Sequence, residues 1–232
     1  RDVLGSRGLG DVYKRQNYNA VYPFRTSVLF TDSLPLAALF FKLLGGILPT
    51  RFQYFGWWGL LCYALQGGLA QAVIARIAGV QPTFGRDDKS KAAIAIIMSP
   101  GQTAKLWGSV LGAGVLVLFP ALTIRMFAHT ALAANWLVLL ALYLWLRSDE
   151  LMPTTRRACL IWGGMGLLCA GIHLYYLPMV GLVLVGYAVR RALQKRGPAA
   201  VLAPIAAFCA AALAEFCLLY TSPSPRDPKT SR

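Results

Sequence analysis

Asp32, Arg125, His129 and His173 are the side chains whose types could do chemistry in an otherwise apolar chain. A carboxylate can take a proton, a guanidinium can hold an anion, and an imidazole can do either near neutral pH. Arg125 and His129 stand four residues apart where an apolar run ends, and His173 is followed by Tyr175 and Tyr176. Each also has a plain structural reading. Asp32, in Phe30-Thr31-Asp32-Ser33-Leu34-Pro35, can cap a helix opened by Pro35, although Ser33 could cap alone and leave Asp32 free. Arg125 suits snorkelling to an interface, and His129 a hydrogen-bonded turn. His173 with its two tyrosines suits an aromatic belt. Asp87, Asp88, Asp149 and Glu150 lie among Lys and Arg and read as solvated loop charges, while Glu215 carries no reading from sequence.

The elements that must position these groups are apolar helices. Of 232 residues, 57% are hydrophobic and 14% charged, and the mean hydropathy is +0.55. A soluble domain carries about a quarter charged residues, so the composition argues against a water-soluble enzyme. Lys and Arg number 23 against 9 Asp and Glu, for a net +14. That excess sits in short clusters between long apolar runs, as in the loops of a polytopic membrane protein, and not on the polar surface a nucleic-acid groove needs. No nucleic-acid partner is expected; membrane lipid is.

Both ends read as foreign. Asp11-Val12-Tyr13-Lys14-Arg15-Gln16 is the translation of a transposase-end adapter used in library preparation. Cys217-Leu218-Leu219-Tyr220-Thr221-Ser222 is the translation of its reverse complement. Residues 1–16 and 217–232 are therefore expected to be adapter-derived, leaving an internal fragment over 17–216 with a net charge of +10.

A helix needs about 20 apolar residues to cross a bilayer. Residues 34–48 are too short and broken by Lys42 and Gly45-Gly46, and read as an interfacial helix within an extracytoplasmic segment, 17–54. The bundle, 55–216, is expected to hold about six spans: 55–77, 107–124, 132–146, 158–172, 177–189 and 198–216. With these spans, 12 Lys and Arg fall on one side and 4 on the other, which places the poorer side outside. Arg125, His129, His173 and Asp32 all belong to that outer side. Convergence of four rare ionisable groups on one face of a bundle is harder to dismiss than any one of them.

Cys62, Cys159, Cys169 and Cys209 lie in apolar runs without metal or redox spacing and read as packing residues. The pairs and triplets Gly67-Gly68, Gly108/Gly112 and Gly163-Gly164/Gly166 are spaced for close helix contact. No Walker-type loop, GxGxxG or internal repeat is present.

Four blocks carry a resemblance: residues 22–33 (Tyr22-Pro23-Phe24-Arg25 to Asp32-Ser33), Phe52-Gln53-Tyr54-Phe55-Gly56, Met126-Phe127-Ala128-His129-Thr130 with the alanines after it, and Tyr176-Leu177-Pro178-Met179-Val180. Together they resemble an uncharacterised family of bacterial polytopic membrane proteins allied to the GT-C glycosyltransferases; residues 81–106 depart from the pattern. The resemblance implies an all-α polytopic transmembrane bundle in the bacterial cytoplasmic (inner) membrane. It also implies transfer of a sugar from a polyprenyl-phosphate donor to an extracytoplasmic acceptor. GT-C enzymes carry a key Asp in their first outer loop beside a juxtamembrane helix, and Asp32 stands in the matching place. On that footing Asp32 acts on the acceptor hydroxyl, with His129 and His173 assisting. Arg125 stabilises the lipid phosphate, and Tyr175 and Tyr176 contact substrate. A divalent metal stays open because some relatives use one, but one Asp and two His are a thin ligand set. Two other classes compete. A transporter or flippase of a lipid-linked substrate would place its ionisable groups near the midplane. A non-catalytic membrane protein would leave Asp32, Arg125 and the histidines apart.

Overall fold

The computed structural model describes residues 16–21, 24–27, 34–47, 54–80 and 100–220. Apart from one short hairpin, these residues fold as helices. The hairpin pairs β1 (Gln16–Val21) with β2 (Phe24–Ser27), antiparallel, with Gln16 opposite Ser27 and Val21 opposite Phe24. Sequence reading gave this stretch no regular structure. Its Val, Tyr, Phe and Thr content is what a strand favours.

The helices are α1 (Pro35–Leu43), α2 (Phe55–Ile77), α3 (Pro100–Val117), α4 (Pro120–Ala128), α5 (Trp136–Leu146), α6 (Ser148–Leu151), α7 (Thr155–Ile172), α8 (Tyr176–Leu193) and α9 (Pro198–Tyr220), with a 3-10 turn at Thr130–Ala133 between α4 and α5. Three are long and apolar enough to cross a membrane: Phe55–Ile77, Tyr176–Leu193 and Pro198–Glu215. Their outer faces are apolar, with Trp57, Leu60, Leu182, Val185, Leu202 and Leu213 exposed.

The expected span at 107–124 is two helices. Pro120 has no N–H to donate and its ring would strike the preceding turn, so α3 stops at Val117. Phe119 before it takes the extended conformation that a residue preceding proline prefers, φ −60 and ψ 125, and Pro120 then opens α4. The expected span at 132–146 likewise resolves into the 3-10 turn and an 11-residue α5. Sequence reading divided the long apolar stretch before Arg190 at His173, and α7 and α8 part there. Among residues 34–48, a 9-residue helix, α1, leaves Leu39, Phe40 and Leu43 exposed while Leu34 and Ala37 are buried. At about 1.5 Å per residue it is far too short to cross a bilayer.

Packing follows residue size. α7 and α9 run side by side in the same direction, the most closely packed pair, along a seam of glycines on α7. A Cβ at Gly166 would lie 2.5 Å from the Phe208 carbonyl oxygen, and one at Gly163 would lie 3.6 Å from that of Ala207. Gly67 and Gly112 similarly admit Val117 and Ile74 between α2 and α3, whereas Gly68, Gly108 and Gly164 face open space. One glycine of each pair, and two of the three on α7, therefore serve close contact. The core is built from Trp58, Cys62, Trp136, Leu137, Trp162, Tyr176 and their neighbours, contributed by α2, α5, α7 and α8.

Candidate functional site

Reversal of direction at each turn gives the bundle two chemically distinct ends. At one end meet the C-termini of α4 and α7, the N-termini of α2, α5 and α8, and the 3-10 turn. Arg125 lies in the last turn of α4 and donates from Nη1 to Asn135 Oδ1 at 3.0 Å. A cation there is favoured by the carbonyl end of the helix dipole. His129 follows as the C-cap of α4, exposed, its N–H bonded to the Arg125 carbonyl at 2.7 Å. Trp58 of α2 ties in the next residue, its indole N–H donating to the Thr130 carbonyl at 3.1 Å.

His173 forms the C-cap of α7. Its ring lies 4.8 Å from that of Tyr175, centroid to centroid, and its Nδ1 accepts a long bond, 3.3 Å, from the Tyr175 N–H. In the neutral ring the proton then resides on Nε2. Tyr175 is 64% exposed and available to a ligand. Tyr176 is not: it is 2% exposed and its hydroxyl donates to the Leu132 carbonyl at 2.7 Å. Its phenol braces the 3-10 turn, where sequence reading gave it a substrate contact. That bond joins the α7–α8 turn to the 3-10 turn that follows α4.

Asp32 lies outside the described residues. Leu34, which follows it in the chain, is buried in the core, and Leu36 packs at the same end, its Cβ 3.2 Å from where a Gly171 side chain would begin. The end of the bundle that carries Arg125, His129, His173 and Tyr175 also carries a described carboxylate. Glu215 of α9 places Oε1 2.5 Å from the position of a Gly171 Cβ, two residues before His173. Its Oε2 is buried without a hydrogen-bond partner. Sequence reading missed this group, because a lone Glu late in an apolar run gains meaning only from the glycine opposite. Asn135, the partner that aims Arg125, was missed for a similar reason. Among the described residues no three His, Cys, Asp or Glu side chains stand close enough to hold a metal ion.

The opposite end is strongly basic; Asp149 and Glu150 are exposed there, as expected from sequence, but each is also ion-paired, while Asp87 and Asp88 lie outside the described residues. Glu150 bonds Arg76 of α2 at 2.6 Å and Arg147 at 2.6 Å, and Arg147 also reaches the Tyr143 hydroxyl at 2.7 Å. Hydrogen bonding from Arg147, with the charge of Arg76, holds the Glu150 carboxyl below the usual range. Asp149 bonds Arg190 at 2.5 Å and Arg191 at 2.8 Å. Burial pushes its carboxyl up, but Gln194, Arg190 and Arg191 outweigh burial and hold it below its ordinary value. Arg191 is 3% exposed, stacked over the Tyr187 ring, and donates to the Ser148 and Met152 carbonyls at 2.9 and 3.1 Å. Arg fits this role because its planar fork satisfies several acceptors at once.

Residues 15–230 match the family described as a domain of unknown function, DUF6311. The chain belongs to that family. Neither a curated protein nor a solved structure matches this DUF6311 chain.

Proposed function

We propose that this DUF6311 protein is a multi-pass protein of the bacterial inner membrane that transfers a sugar from a polyprenyl-phosphate donor to an extracytoplasmic acceptor, in the manner of GT-C glycosyltransferases. One observation carries the reading: Arg125, aimed by Asn135, shares one end of the bundle with His129, His173 and Tyr175, while Arg147, Arg190 and Arg191 crowd the other. The basic end suits the cytoplasmic side, which would leave Arg125 outside. The three helices apolar enough to span support the membrane reading; α3 with α4, the 3-10 turn with α5, and α7 would make up six crossings. Arg125 would hold the donor phosphate as charge develops on it. Asp32 would orient or deprotonate the acceptor hydroxyl, with His129 and His173 on the same side, and Glu215, beside Gly171, would offer a second carboxylate.

Reconstituted into proteoliposomes with polyprenyl-phosphate sugars of several kinds, the protein should release polyprenyl phosphate when acceptor is present. Asp32→Asn should abolish release with the fold intact, since shape is kept and only the basic oxygen is lost. Arg125→Lys should raise KM for donor more than for acceptor, because charge is kept and the fork is lost. Release that is unchanged in both variants would defeat the reading. Movement of intact donor across the bilayer, without cleavage, would reassign the protein as a flippase.

A further inference from the structure

At the basic end, the link before α7, the end of α8 and the start of α9 enclose a cavity of about 180 Å³. Thr154 and Thr155 form one wall, Tyr187 and Arg191 another, and Arg196 of the α8–α9 link with Ala200 of α9 closes it. Three features give it a chemistry. Its cations outnumber its anions: Asp149 is shared by Arg190, Arg191 and Gln194, and Glu150 is taken up by Arg76 and Arg147, so Arg196 adds charge that no described acid answers by an ion pair. The Arg191 guanidinium is fixed in the wall, its Nη groups donating to the Ser148 and Met152 carbonyls, to Gln194 and to Asp149, which it shares with Arg190, so it lends the recess positive field rather than free Nη donors. Finally, the first N–H groups of α7 face no intrahelical acceptor, and Thr154 Oγ1 satisfies that of Arg157.

The chain spends strain to close this cavity. Lys195 adopts φ 54, the left-handed region usually left to glycine, and Gly197 follows at φ 80. With Lys195 so turned, the Arg196 N–H reaches back to the Arg191 carbonyl at 3.2 Å, a Schellman cap that fixes Arg196 beside Arg191. We propose that this cavity binds a phosphate group, either the headgroup of an anionic phospholipid in the leaflet at the basic end or a free phosphate. The Arg196 guanidinium, two threonine hydroxyls and a helix N-terminus offer donors to phosphate oxygens, with the fixed charge of Arg191 behind them, and a basic recess between apolar helices is how lipid headgroups are held. This inference does not depend on glycosyl transfer.

The test uses the whole protein in an uncharged detergent, with thermal unfolding as readout. The probes are inorganic phosphate, short-chain phosphatidylglycerol and short-chain phosphatidylcholine. Phosphate or phosphatidylglycerol should raise the Tm in a saturable manner, and phosphatidylcholine should not. Arg196→Ala should weaken the apparent affinity at least about tenfold, the loss of one charge-assisted contact. Thr155→Val should weaken it less, and Arg157→Ala, exposed and outside the cavity, should leave it unchanged. A shift with phosphatidylglycerol alone assigns the lipid, and one with inorganic phosphate assigns the free ion. No shift with either, or equal loss in Arg157→Ala and Arg196→Ala, would overturn the proposal.

Discussion

A single methyl group at Gly166 would sit 2.5 Å from the carbonyl oxygen of Phe208 and 3.3 Å from its carbonyl carbon. Those are backbone atoms, so the strain could be relieved only by parting two helices. Gly166→Ala should therefore destabilise by about 1–3 kcal/mol, the cost of overpacking. Gly164→Ala, two residues earlier and facing open space, should be neutral or stabilising by up to about 1 kcal/mol. Chemical denaturation of the two variants in detergent compares them directly. At Gly171 the obstruction is the Glu215 carboxylate, with the Leu36 Cβ behind it at 3.2 Å. Gly171→Ala should displace that carboxylate, and its effect on transfer should match that of Glu215→Gln while Gly164→Ala leaves transfer untouched. Lys195→Gly should raise stability by about 1 kcal/mol, because the left-handed backbone then carries no Cβ penalty.

Between elements, charge does what glycine does for α7 and α9. α2 is tied to α6 by Arg76 and Glu150, and α6 to α8 by Asp149 with Arg190 and Arg191. Both carboxyls are held below their ordinary values in the fold. For a depressed folded pKa, the stabilisation is full above the unfolded value and disappears as pH falls through the folded one. Stability should thus be flat near neutrality and drop below about pH 4. Asp149→Asn should flatten that acid limb when melting is followed against pH. Much of this layer was readable beforehand: the Lys and Arg clusters located the turns, and the His173 segment marked where α7 gives way to α8. The break at Pro120 was not, because apolarity continues unbroken through Leu118 and Phe119 and hides a backbone event. Nor did sequence show that the acids at 149 and 150 face different helices, which is a matter of which side of α6 each occupies.

For the molecule as a whole, the separation of Arg125 from the basic end was legible because loops alternate sides however the helices pack. The identity of its neighbours was not, since Asn135, Glu215 and Gly171 meet through helix faces that a linear pattern does not order. The topology proposed above is checked by impermeant maleimide on intact cells in a cysteine-free background. Tyr175→Cys should label from outside and Lys195→Cys only after lysis, both sites being exposed; the reverse result would invert the protein and move the candidate site to the cytoplasm. The seam between α7 and α9 has a further consequence for biogenesis. α9 is apolar and long enough to enter a bilayer alone, whereas α7, rich in glycine and opening on Arg156 and Arg157, is not among the helices that are. On the topology proposed above, until α9 has been made the groove of α7 has only lipid or translocon to lie against. Its retention in the membrane should then come after its synthesis, with the arrival of α9, so that a chain ending at Gly197 and released from the ribosome exposes α7 to added protease and one ending at Tyr220 protects it.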